Sequence, residues 1–158
     1  MTQTATPLIG SGITISVGTQ GATPVYTAIS GVTKITPPQQ KFGTTDITEL
    51  TTGFKKVLKT LADYGEVTIE GIYKSADAGQ AALAAAFGVL ANSTYGGDFP
   101  FEIQMPINLA GGQTATGDLV KFLGPVTGFA TDQESAEKEV TFKATIKVNS
   151  APVVTLGA

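Results

Sequence analysis

Glu66 and Glu70 flank Thr68 in the run Glu66-Val-Thr-Ile-Glu70, and in an extended chain that spacing puts both carboxylates on one face. Paired carboxylates can share acid–base work. Here Lys143 and Lys147 occupy a second alternating run, and a polar protein surface is the simpler reading of the pair. Asp132, Glu134, Glu137 and Glu139 supply oxygen ligands, but their spacing matches no calcium loop and reads better as a solvated acidic turn. Gly111 to Gly117 is glycine-rich without the Gly-Lys-Ser/Thr ending of a phosphate loop. Gly10-Ser11-Gly12 is no nucleophile elbow, because no strand–turn–helix pattern surrounds it and no histidine exists to act as base.

The missing residue types narrow the chemistry further. The chain has no Arg, His, Cys or Trp. Without His and Cys, the usual zinc, iron and copper sites and Ser–His or Cys–His catalysis are excluded. Without Arg, bidentate grips on phosphate and guanine are missing. Ten lysines spread along a chain of net charge −3 form no basic patch for nucleic acid. The expectation is a protein that is not an enzyme, with no cofactor and no metal. At 158 residues the length suits one domain, and charged residues at 15% fall below the usual roughly 25%. Such a surface is made of Thr, Gly, Ser, Asn and Gln, or is buried against other chains. The start shows no targeting signal, and the apolar run Ala81 to Ala91 is shorter than the ~20 residues of a membrane span, which predicts a chain kept in the cytoplasm unless an assembly carries it out, with no membrane partner.

The elements that position these groups follow from hydrophobic period. From Glu66 the chain alternates, with Val67, Ile69 and Tyr73 on one face and Glu66, Thr68, Glu70 and Lys74 on the other, the pattern of a half-buried strand. The period then changes. Leu83, Phe87 and Leu90 share one side of a helix over about 77–91, with Asp77 and Gln80 at capping-box spacing and Ser75 as a rival cap. Gly79 and Gly88 cost this helix about 1 kcal/mol each relative to Ala, so packing must hold it. A strand feeding a helix laid across its sheet is predicted.

Taken in order, residues 1–11 read as an extended arm and Gly12 to Gly18 as a strand. Val25 to Thr36 reads as a second strand with a bulge at Ser30-Gly31. Residues 39–62 are Thr-rich with no clear period, either a long functional loop or a short amphipathic helix carrying Phe54, Leu58 and Leu61. Phe99 to Ile107 alternates, and Pro100 and Pro106 suit an edge or frayed strand. Residues 108–117 read as a flexible loop, and Asp118 to Thr131 as a strand interrupted at Gly124-Pro125. Glu139 to Asn149 is the cleanest strand, followed by an arm over 150–158. About six hairpin-linked strands and one helix predict a mainly β, antiparallel sandwich or barrel with a flanking helix.

Asp46-Ile-Thr-Glu-Leu50, the segment Leu61-Ala-Asp-Tyr-Gly-Glu-Val-Thr-Ile-Glu-Gly71, Ala76-Asp-Ala-Gly-Gln-Ala-Ala-Leu83 and the closing strand from Glu139 together resemble the lambda-like tail tube proteins of long-tailed phages. The resemblance runs from about Gly12 to Pro152. It implies a structural virion protein whose subunits form six-fold rings that stack into the tail tube, with neighbouring sheets joining into a lumen wall. It also implies a long loop reaching the next ring, termini that cross subunit boundaries, and a lumen occupied by the tape measure protein and passed by genome DNA without specific binding. Its other expected partners are the tail terminator and distal tail proteins, in the virion and, during assembly, the host cytoplasm. Carried onto this sequence, the ring-to-ring loop holds Thr44, Asp46, Leu50, Phe54, Leu58 and Leu61, and the lumen face Glu66, Thr68 and Glu70. Two rival readings are another β-sandwich module of a virion or injection machine, such as a decoration protein or a secretion-type tube, and a monomeric binding module. The second fits poorly with a chain lacking Trp and having only Tyr26, Tyr64, Tyr73 and Tyr95, no two adjacent.

Overall fold

The alternating runs do become strands, and in a computed structural model that describes residues 12–51, 53–89 and 96–158 they build two stacked antiparallel sheets. In chain order the elements are β1 (Thr14–Gly18), β2 (Tyr26–Ala28), β3 (Val32–Thr36), β4 (Lys41–Asp46), β5 (Val57–Asp63), β6 (Glu66–Ile72), α1 (Ala78–Phe87), β7 (Phe99–Gln104), β8 (Leu119–Gly124), β9 (Val126–Asp132), β10 (Thr141–Lys147) and β11 (Val153–Thr155). The first sheet has the order β11-β8-β7-β1-β2, the second β3-β6-β10-β9, and among the described residues β4 and β5 pair only with each other. The sheets stay open, so the sandwich reading holds rather than a barrel.

Period two explains the core. Ile15 and Val17 of β1, Phe101 and Ile103 of β7, and Phe122 of β8 face inward from the first sheet, against Val67, Ile69, Phe142, Ala144 and Ile146 of the second. Phe101 and Phe122 are register partners and stack at 5.5 Å. Phe129 and Phe142 stack at 6.1 Å. Tyr73, read as inward, lies beyond the end of β6 and is exposed, as are Val25 and Ile107 at the ends of their runs.

The two breaks read as irregularities within single strands are crossings between sheets. Ser30-Gly31 separates β2 in the first sheet from β3 in the second, and Gly124-Pro125 separates β8 from β9 in the same way. A side chain at Gly124 would overlap the Lys147 carbonyl oxygen, so the turn from sheet to sheet requires glycine there. Pro100 does not mark an edge. β7 lies between β1 and β8, and its pairing with β1 ends at Val17–Phe101, next to the residue that lacks an N–H. Residues 39–62 are not a helix and only partly a loop: they hold the two strands of the β4–β5 hairpin, joined by residues 47–56.

The helix is shorter than its pattern. Asp77 is the N-cap, its carboxylate accepting the Gln80 N–H at 2.9 Å. Burial works to raise the Asp77 carboxyl, but hydrogen bonds from Ser30 Oγ, the Gln80 N–H and the Ser30 N–H, with Lys74 nearby, hold it below the ordinary value. Leu83 is buried with Gly79, Gln80 and Ala86, while Phe87 is 46% exposed and Leu90 lies outside the described residues. Gly79 is needed because any side chain there would overlap Ala28, and Gly88 is the C-cap rather than an interior residue. The helix packs on β1, β2 and β9, touching both sheets, and its most extensive contact is with β9, in the sheet that β6 belongs to.

Gln80 does not close a reciprocal capping box. It is 2% exposed, and its side chain accepts from the Lys74 N–H at 2.8 Å and donates to the Ser30 and Ile72 carbonyls at 2.8 and 2.9 Å. One amide thus ties the helix start to the β2–β3 crossing and to the end of β6. The loop over 108–117 is tied down too. Gln113 donates to Asp118 at 2.6 Å, the Thr114 and Ala115 N–H groups reach the Ala158 carbonyl at 2.9 Å, and Gly157 donates to Asp118. The arm over 150–158 docks on its own chain, with β11 paired to β8.

Gln80→Leu should lower stability by at least about 2 kcal/mol, since it strands two carbonyls and one N–H in a buried place. Urea denaturation checks this, and a loss under about 0.5 kcal/mol would contradict the role given to the amide.

Candidate functional site

Two surfaces have no job inside the sandwich. The first is the β4–β5 hairpin. Strand β3 ends at Thr36, β4 begins at Lys41, and β5 returns to Asp63 beside the start of β6, so the ribbon grows from one end of the second sheet. Its base is pinned by Lys147 Nζ to Asp63 at 2.8 Å and by the Gly65 N–H donating to the same carboxylate at 2.9 Å. These hold the Asp63 carboxyl below its usual value, Lys147 first. Toward the tip, Asp46 accepts from the Thr48 hydroxyl and N–H, which lower its pKa in that order, and the Lys56 N–H donates to Thr48 Oγ1 at 3.0 Å.

Beyond its base, the hairpin leaves apolar groups uncovered. Leu61 is 89% exposed and Phe54 62%, and Phe42, Leu50, Val57 and Leu58 are exposed as well. Lys59 lies over the Phe42 ring at 4.9 Å and Lys56 over Phe54 at 5.5 Å, contacts worth about 0.5–1 kcal/mol each at exposed sites. An isolated two-stranded hairpin is marginal in water. Of the residues read from sequence as a contact loop, Thr44 and Asp46 lie on β4, Leu58 and Leu61 on β5, and Leu50 and Phe54 around the tip. Sequence reading singled out these residues but missed that Thr44, Asp46, Leu58 and Leu61 lie on strands. The missing signal is physical, since a ribbon with no buried face has no period to read.

The second surface is the outward face of the β3-β6-β10-β9 sheet. Register sets its rows. Thr36, Thr68, Thr145 and Gly128 stand side by side, as do Lys34, Glu70, Lys143 and Ala130. Glu70 pairs with Lys143 at 3.7 Å. Glu66 is opposite Lys147, which turns to Asp63. The structure therefore brings Glu66, Thr68 and Glu70 together on one face, but with lysines across from both glutamates. The face is polar and close to balanced in charge, and the negative excess lies instead around the 132–139 turn. Its outer strands, β3 and β9, each have one edge unpaired among the described residues.

Among the described residues, no group of three or more His, Cys, Asp or Glu is placed to hold a metal ion, and no helix is long and apolar enough to cross a membrane.

No family model and no curated protein matches the chain. Solved structures do. A chain of the anti-feeding prophage baseplate, solved with six-fold symmetry, superposes with a TM-score of 0.69 at 10% identity, covering 98% of both chains. The tail of an empty GTA particle, refined with C6 symmetry, gives 0.64 at 16% identity over 96% of this chain and 100% of that one. The SPP1 tail tube gives 0.67 at 13% identity over 95% and 80%.

The exposed Glu70–Lys143 pair should matter little to folding. Lys143→Ala is expected to change stability by no more than about 1 kcal/mol. A larger loss in thermal or urea denaturation would assign the pair to the fold rather than to a surface used elsewhere.

Proposed function

We propose that this chain, which has the fold of tail tube and related injection-machine proteins, is a structural subunit that polymerises into a tube. The observation that carries the reading is the hairpin: its apolar residues need cover that the chain does not give, and a second copy supplies it. The fold likeness supports the same reading. So do the unpaired edges of β3 and β9, which suit sheet-to-sheet joining around a lumen.

In this reading, six subunits close a ring and rings stack head to tail, the kind of heterologous contact that builds open filaments. The hairpin reaches the next ring. The outward face of the β3-β6-β10-β9 sheet, with Glu66, Thr68 and Glu70, lines the lumen. A wall of Thr, Gly and matched Lys–Glu rows offers phosphates no net attraction, so genome DNA passes without being held. The tape measure protein fills the lumen before ejection, and terminator and distal tail proteins close the ends, in a virion assembled in the host cytoplasm. Nothing in this role calls for catalysis. A tube of an injection machine is the second reading, favoured by the likeness to the anti-feeding prophage chain, and it differs in what passes through the lumen.

Deleting residues 44–61 and closing the gap with a short turn should leave a monomer that melts close to wild type and forms no tubes. Tubes from the deletion variant, seen by electron microscopy, would refute the role of the hairpin. Glu70→Lys should leave tubes intact and slow DNA ejection from assembled particles, and unchanged ejection kinetics would move the lumen to another face.

A further inference from the structure

At one lateral edge of the sandwich, two antiparallel segments pass together from sheet to sheet. β8 turns at Gly124-Pro125 and becomes β9, while β10 returns over residues 148–152 to become β11. Hydrogen bonds follow them through the corner. The Lys147 N–H donates to the Pro125 carbonyl at 3.1 Å, the Asn149 N–H to the Leu123 carbonyl at 2.9 Å, and the Leu123 N–H to Ser150 Oγ at 2.9 Å. In the first sheet β11 lies outside β8, and in the second β9 lies outside β10. Each segment is therefore inner in one sheet and outermost in the other.

The opposite edge shows half of the same corner. β2 is outermost in the first sheet, and beyond Ser30-Gly31 the chain becomes β3. The partner of β2 is β1, and the Ile29 N–H carries their ladder to the corner by donating to the Ile15 carbonyl at 2.9 Å. By the pattern of the first edge, the chain that leads into β1 belongs outside β3 in the second sheet. Among the described residues that place is open, since β3 pairs with β6 alone. A trough of about 280 Å³ lies there, lined by Ile13, Val32, Thr33, Lys34 and Ile35. Successive strand residues point to opposite faces, so a run of neighbours lines one trough only along the strand's edge. Ile13, from the chain just before β1, forms the other wall. Gly12, at φ +90°, supplies a turn at this corner that favours glycine.

Residues 1–11 lie outside the described residues. We propose that residues 2–9 of the same chain occupy this trough as a strand antiparallel to β3 on its free edge, crossing to β1 at Gly10-Ser11-Gly12. The reach suffices, because eight extended residues span about 26 Å and the five of β3 about 17 Å. Thr2, Thr4 and Thr6 are β-branched and suit a strand, and Pro7 is tolerated in an outermost one. The pairing follows from the fold. Its role rests on the tube reading, in which the β3 edge joins the β9 edge of the next copy. In the free subunit the arm guards that edge with a strand of its own chain, and β3 pairs with another copy only once assembly displaces it.

The chain has no Cys, so Thr4→Cys places a single spin label in the arm of the full-length protein. In the ¹⁵N-labelled monomer the label should broaden the amide signals of Val32 to Ile35 and spare those of β9. Spin-labelled ¹⁴N chains mixed with unlabelled ¹⁵N chains should leave β3 sharp. Hydrogen exchange gives a second readout. Removing residues 1–9 should speed exchange of the β3 amides that point away from β6 at least about tenfold and leave β10 unchanged. The shortened chain should also assemble with a lag at least about threefold shorter. Thermal melting shows whether it is folded, and the full-length labelled chain decides the pairing if it is not.

A label that broadens β3 only in the mixture puts the arm on a neighbouring copy and overturns the proposal. So does a label that leaves β3 sharp in both samples, or β3 exchange that the deletion does not change. If the arm lies on β3 but the shortened chain assembles no faster, the guard role fails. If wild type forms no tubes even with seeds from assembled particles, the tube reading fails and the guard role with it, while the label still decides the pairing.

Discussion

Two strands hydrogen-bonded to each other and to no third strand leave both faces in water. In this protein that ribbon carries Phe42, Leu50, Phe54, Val57, Leu58 and Leu61, more exposed apolar side chains than any other part of the described chain. A monomer gains little by keeping such a ribbon ordered. Its ordering entropy and its apolar groups are offset only when another surface covers it. The rest of the molecule is arranged around that requirement: a rigid sandwich holds the ribbon at one pole and pins its base with Lys147 and Asp63.

The rigidity comes from chain crossings as much as from the core. At Ser30-Gly31 and at Gly124-Pro125 the backbone moves from one sheet to the other, so the two sheets are stitched by the chain itself. The helix fills the space these crossings leave, and Gln80 fastens its start to the first crossing and to β6 with three hydrogen bonds. Among the described residues no buried side-chain nitrogen or oxygen lacks a partner. A satisfied buried amide of this kind fixes one packing of the helix rather than several. The hairpin inherits that precision, since β3 and β6 flank its base.

Much of this was legible in the sequence because a half-buried strand writes its period into the chain. Val67 and Ile69, Phe101 and Ile103, and Phe142 to Val148 alternate and are buried as the alternation predicts. Asp77 was legible as a cap. What stayed hidden has physical causes. A glycine break looks the same whether a strand bulges or changes sheet, so the two crossings, at Ser30-Gly31 and Gly124-Pro125, read as flaws in single strands. Pro100 read as an edge or frayed position because it has no N–H to donate, and the β1–β7 pairing does end beside it although β7 lies inside its sheet. Phe87 fits the helix period but faces outward, while its neighbour Ala86 is the residue buried at that turn. The hairpin was invisible as strands, since with no buried face Lys41 to Asp63 shows no alternation. The hairpin residues stood out by type and by resemblance, and the sandwich with a flanking helix that the resemblance implied is the fold the chain adopts.

The measurement that bears most directly on this account is a cryo-electron microscopy reconstruction of wild-type protein assembled at high concentration from seeds. The account predicts a hollow tube of stacked rings, with the β3-β6-β10-β9 sheet facing the lumen and density for each Lys41–Asp63 ribbon crossing into the adjacent ring. Particles that remain monomeric, or rings in which every hairpin packs within its own ring, would contradict it.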